Sequence, residues 1–124
     1  MRGIMTSGNE CGRIKMGMVD VRDVAKAHVQ AIKVDEAKNK RFLLVSRCCW
    51  RREMAECLAA EFNPKGFNIN TTEKTDDKVF EYEVRTDQSQ NVLGINYIPI
   101  EQSWVDMANS LIATGFIQAP AAAQ

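Results

Sequence analysis

The sequence has 124 residues, 45% of them hydrophobic and 26% charged, the balance of a folded globular chain and the size of one domain. Sixteen basic and sixteen acidic side chains cancel, so no net field draws the chain to nucleic acid or an anionic membrane. No run approaches the roughly 18 consecutive apolar residues of a membrane span, and the N-terminus carries no apolar signal core.

Residues 1–16 are rich in Gly, Arg, Lys and Met without a clean period, and are expected to form loop with at most one helical turn. Met18-Val19 is a short extended piece. Asp20 then stands as an N-cap, with Asp23 three residues on as the acidic member of a capping box, and both carboxylates suit the positive end of a helix dipole. Val21, Val24, Ala25, His28, Val29 and Ile32 recur at helical spacing, which predicts an amphipathic helix over 21–33 with that stripe facing the core.

Asp35–Lys40 is a charged connector. Arg41-Phe42-Leu43-Leu44-Val45-Ser46 is a short apolar run without alternation, as expected of a buried parallel strand. Trp50, Met54, Cys57, Leu58 and Phe62 predict a helix over 50–62, stopped by Asn63-Pro64-Lys65-Gly66. Phe67–Asn70 alternates like a half-buried strand, and Phe80, Tyr82 and Val84 like an edge strand. Ser89–Leu93 predicts a short helix ended by Gly94, and Tyr97–Ile100 an extended piece, because the residue before a proline avoids the helical region. The last helix is expected over 101–114, with Trp104, Met107, Ala108, Leu111 and Ile112 on one face and Gly115 as its C-terminal cap. Residues 119–124 read as a flexible tail, leaving 1–118 as a single partial domain.

Several residues suggest chemistry and are better explained by structure. Cys48, Cys49, Cys57 and His28 are zinc-ligating types, but adjacent cysteines point apart and Cys57 fits an apolar helix face, so no metal site is expected. With no secretory signal, the four cysteines are expected to be reduced thiols in the cytoplasm. Asp20 and Asp23 have the residue types of an acid–base pair, yet capping accounts for both at that spacing. His28 stands on the helix stripe without a serine or cysteine spaced to form a dyad with it. Arg47, Arg51 and Arg52 around Trp50 are the only basic cluster, read as a solvated helix start without the positive excess of a nucleic-acid module.

Val19-Asp20-Val21-Arg22-Asp23-Val24-Ala25-Lys26-Ala27-His28 resembles the V-D-V-R-D-V-A-x-A-H signature of dihydroflavonol reductases, cinnamoyl-CoA reductases and yeast-type methylglyoxal reductases, all extended short-chain dehydrogenases. In that family's order follow Lys40–Ser46, Trp50–Phe62, Thr86-Asp87-Gln88-Ser89-Gln90 (with Gln90 where lysine is usual), and Leu93–Gly115. The similarity covers about residues 17–117.

The resemblance implies an α/β fold, the substrate-side C-terminal lobe of a Rossmann-type reductase that is incomplete without its nucleotide-binding half. It implies NAD(P) and a small carbonyl or hydroxyl substrate for the full-length protein. The glycines, at 3, 8, 12, 17, 66, 94 and 115, spell no G-x-x-G-x-x-G or G-x-G-x-x-G. Four residues after Tyr82 stands Thr86, and after Tyr97 stands Glu101, so the family's Tyr-x-x-x-Lys pair is missing as well. No cofactor-binding or catalytic residue is therefore assigned, and the missing parts are expected N-terminal to Met1. By the same resemblance, residues just before V-D-V-R-D lie along the substrate cleft, which makes Lys15, Met16 and Met18 the substrate-binding candidates. Two functions are expected to compete: an oxidoreductase fragment inactive alone, or a non-catalytic interaction subunit that keeps this lobe. In either case a protein partner or a second copy is expected over an exposed apolar face.

Overall fold

In a computed structural model the described residues are 1–75, 78–79 and 81–120. Among these residues five α-helices, α1 (Arg2–Thr6), α2 (Val21–Lys33), α3 (Arg51–Phe62), α4 (Asp87–Leu93) and α5 (Ile100–Ala113), accompany two strands, β1 (Lys15–Met18) and β2 (Arg47–Trp50). The strands pair antiparallel, Lys15 opposite Trp50 and Met18 opposite Arg47. The mixed α/β class expected from the sequence holds, but its sheet is a two-stranded antiparallel ribbon and not a parallel one.

Two apolar clusters divide the molecule. The larger is built where α3 packs on α5, with Met54, Ala55, Leu58 and Phe62 against Ile100, Trp104 and Ala108. Ile4 and Met5 of α1, Cys11, Cys49, Ile69 and Ile117 close it. Helix α3 starts where Glu53 accepts a hydrogen bond from the Trp50 N–H at 2.7 Å, half of a capping box. After Phe62 a 3-10 turn, Asn63–Lys65, ends at Gly66 with φ 90°, a left-handed conformation glycine adopts without penalty. The smaller cluster joins Ala27, Ala37, Leu93 and Ile95, with Phe42, Leu44 and Tyr97 packed against it.

Helix α2 spans the predicted 21–33 but is turned the other way. Its buried residues are Asp23 and Ala27, whereas Val21 is 77% and Ile32 87% exposed, with Val29, Ala25 and His28 also outside. The apolar stripe faces solvent because no described residue supplies a surface for it.

Three strand expectations are corrected. Residues 41–45 form no strand, and among the described residues no backbone hydrogen bond reaches them; the strand begins only at Arg47, where β1 is at hand to pair. Residues 67–70 are irregular, and Asn63 takes up both the Ile69 N–H and its carbonyl in place of a neighbouring strand. Residues 81–84 are likewise irregular; Phe80 of the same expectation lies outside the described residues. The expected tail is described only to Pro120, so its residues 121–124 also lie outside.

Candidate functional site

The ribbon and the start of α2 bring the sequence-nominated residues together. Lys15, Met16 and Met18 all lie on β1, half-buried. Alternation along the strand places Lys15 and Gly17 on one side and Met16 and Met18 on the other. The Lys15 ammonium donates to Glu81 at 3.1 Å and Glu83 at 3.4 Å, and stands 5.9 Å from the Trp50 ring centroid. Its hydrogen bonds to these carboxylates, that to Glu81 foremost, hold its pKa above the ordinary lysine value. Between them, the Gly17 N–H donates to the Tyr82 hydroxyl at 3.0 Å. Residues 81–83 thus lie along the free edge of β1. The spacing of Tyr82 reads only as that of a strand residue and does not mark this contact with Gly17.

Beyond Met18 the backbone enters α2 through Asp20. Its Oδ1 accepts from the Arg22 N–H at 2.8 Å, the hydrogen bond of an N-cap. The Arg22 guanidinium donates to both Asp20 oxygens and, at 2.7 Å, to Asp106 of α5, which also accepts from Gln102. The Arg22 hydrogen bonds hold the Asp20 carboxyl far below the usual carboxylate range, against the opposing effect of burial. Asp23 makes no capping box. It is 3% exposed and its Oδ2 accepts from the Ile98 N–H at 2.8 Å, which ties α2 to the entry of α5. Both carboxylates are thus buried and engaged by the chain itself, Asp20 at the head of α2 and Asp23 at the entry of α5.

A groove of about 420 Å³ runs between the start of α2 and α5, walled by Met18, Val21, Met54, Trp104, Met107 and Leu111 with Arg22 and Asp106 at its rim. Met18 alone of the three candidates lines it. A wider concavity of about 650 Å³ lies apart, among Ser7, Glu10, Cys11, Arg51 and Lys74, and includes none of them. His28 is exposed, its Nδ1 2.8 Å from the Val24 carbonyl, which corrects its expected place on an inward stripe. All four cysteines are free thiols, and burial pushes the Cys49 thiol up to about 11. Among the described residues no three His, Cys, Asp or Glu side chains converge as metal ligands. None of the described helices is long and apolar enough to cross a membrane.

A dinucleotide does not fit these helix starts. A pyrophosphate needs a glycine-lined turn so that its oxygens can reach the first N–H groups of a helix. Helices α2, α3 and α5 begin behind Asp20, Trp50 and Pro99. At α2 a carboxylate already holds the position a phosphate would need. The left-handed glycines Gly8, Gly66, Gly94 and Gly115 each stand just past the end of a helical segment, not in the turn that opens one.

No protein-family profile matches the chain. Cinnamoyl-CoA reductase 2 of Arabidopsis thaliana is 29% identical over 102 residues, which cover 82% of this chain and 30% of that protein. Among solved structures, the yeast methylglyoxal/isovaleraldehyde reductase Gre2 in complex with NADPH superposes with a TM-score of 0.75 at 19% identity, covering 91% of this chain and 38% of that one. Gre2 from Candida albicans gives 0.72 at 28% identity, covering 90% and 34%. Most of the chain is therefore similar to a part of cinnamoyl-CoA reductase 2 and of the Gre2 reductases, and it spans about a third of their length.

Proposed function

We propose that residues 1–118 are the substrate-side, C-terminal lobe of an NAD(P)-dependent reductase acting on a small carbonyl or hydroxyl compound, and that the lobe is inactive alone. The observation that carries this reading is the likeness, at 28–29% identity, of nearly the whole chain to one third of reductases in sequence and fold. In this reading Lys15, Met16 and Met18 form part of the substrate wall. The methionines supply an adaptable apolar surface, and Lys15, held by Glu81 and Glu83, fixes the strand that carries them. The nucleotide belongs to the rest of the reductase, and the site of action is the cytoplasm.

Calorimetric titration of the isolated chain with NADPH and with NADH is expected to give no binding heat; saturable binding of either overturns the reading. Mixing the chain with the separately produced remainder of the Candida albicans reductase is expected to restore aldehyde-dependent NADPH oxidation. A complex that forms but never oxidises NADPH would instead favour a non-catalytic interaction subunit.

A further inference from the structure

Among the described residues β1 has a strand, β2, on one side only, so the polar groups of its other edge need partners that no ladder supplies. Residues 81–84 run past that edge in irregular backbone, and among the described residues none of them joins a backbone–backbone hydrogen bond. Side chains make the contact instead. The Gly17 N–H donates to the Tyr82 hydroxyl at 3.0 Å, and the Lys15 ammonium donates to Glu81 and Glu83. Three consecutive residues thus grip three consecutive residues of β1. The grip also covers what it holds. The Lys15 side chain is 12% exposed, whereas those of Glu81 and Glu83 are 57% and 85% exposed.

Ties of this kind are individually weak. An ion pair with exposed carboxylates is screened by salt, and a single hydrogen bond to a hydroxyl does not make a ladder. A segment fastened in this way belongs to the least stable end of a fold and can open while the core stays shut. The core lies elsewhere: Leu58 and Phe62 of α3 are fully buried in the larger cluster.

We propose that residues 81–83 are a strap that opens and closes on the free edge of β1, fastened by the grip of Glu81 and Glu83 on Lys15 and loosened by salt. Closed, it covers Lys15 and occupies the Gly17 N–H. Open, it bares both together and leaves β1 held by β2 alone. What the strap governs rests on the reductase reading: there it sets how firmly the substrate wall of Lys15, Met16 and Met18 is held. Its opening and closing do not depend on that reading.

Amide exchange measured by NMR on the full chain tests it, with Gly17 as the reporter. With the strap open for about 1–10% of the time, the Gly17 amide is expected to exchange about 10- to 100-fold more slowly than in an unstructured chain. The Leu58 amide, inside α3, should exchange far more slowly still. Raising sodium chloride from about 20 mM to about 500 mM should speed Gly17 about two- to fivefold and leave Leu58 unchanged. Glu81→Gln combined with Glu83→Gln, both at exposed positions, should give the faster rate at low salt and abolish the salt effect, and Lys15→Met should do the same. Lys65→Met, which removes the ion pair to Glu61, should alter neither. A Gly17 amide as slow as that of Leu58, one as fast as in an unstructured chain, or one indifferent to salt overturns the strap. So does a salt effect that survives the paired Glu81→Gln and Glu83→Gln changes. Salt-dependent opening without restored NADPH oxidation in the mixture with the Candida albicans remainder keeps the strap and sinks the reductase reading. Restored oxidation without such opening does the reverse.

Discussion

Asp20 shows how much one buried carboxylate can hold. It caps α2, binds both donor sides of Arg22, and through Arg22 reaches Asp106 on α5. Its folded pKa lies below the unfolded one, so the stability it contributes is complete above the ordinary carboxylate value near ~4 and is lost as pH falls toward the folded value. Asp20→Asn removes that dependence while keeping a capping side chain. The melting temperature of the natural chain should therefore fall steeply between about pH 5 and pH 2, and that of Asp20→Asn less so. Parallel curves would refute the assignment. Trp104 makes a contrasting case. Its ring is 2% exposed in the larger cluster, but its Nε1–H has no partner among the described residues. An orphaned buried donor costs on the order of 1–3 kcal/mol, so Trp104→Phe recovers part of what the lost volume costs. Chemical denaturation should place Trp104→Phe within about 1 kcal/mol of the natural chain and Trp104→Ala roughly 3–5 kcal/mol below it.

At the scale of elements, glycine placement and helical periodicity carry the fold. Gly94 ends α4 at φ 62°, with its N–H on the Gln90 carbonyl. A side chain there meets no neighbour, so Gly94→Ala isolates the backbone cost of the left-handed region, about 1–2 kcal/mol in a urea titration. A change below a few tenths would mean that α4 ends differently. The helices over 21–33, 51–62 and 100–113, and the cap at Asp20, were legible because each is encoded locally, by spacing and by one polar residue at its start. Strand positions were not. Residues 41–46 carry strand composition, but pairing belongs to two segments at once, and the only partner strand among the described residues, β1, takes residues 47–50. The α2 stripe failed for a related reason: periodicity finds the apolar side of a helix but cannot tell whether anything lies against it. In the candidate site, Lys15, Met16 and Met18 were placed by resemblance. The contacts of Glu81, Tyr82 and Glu83 with that strand arise from more than 60 residues away, beyond any local signal.

For the whole molecule, Val21, Val29 and Ile32 form an exposed apolar stripe on α2 of a chain of zero net charge, a combination that favours association. Sedimentation velocity on the isolated chain should show concentration-dependent association, and Ile32→Asp should weaken it while shifting the melting temperature little, since that side chain is 87% exposed. A strictly monomeric natural chain would remove the argument. The division into two apolar clusters has its own consequence. Between the cluster of α3 and α5 and that of α2 and α4 run the Arg22–Asp106 pair and the Asp23–Ile98 hydrogen bond. Such polar ties join parts of unequal size, so warming should loosen the lesser half first, baring α2 to proteases while the α3–α5 half stays shut.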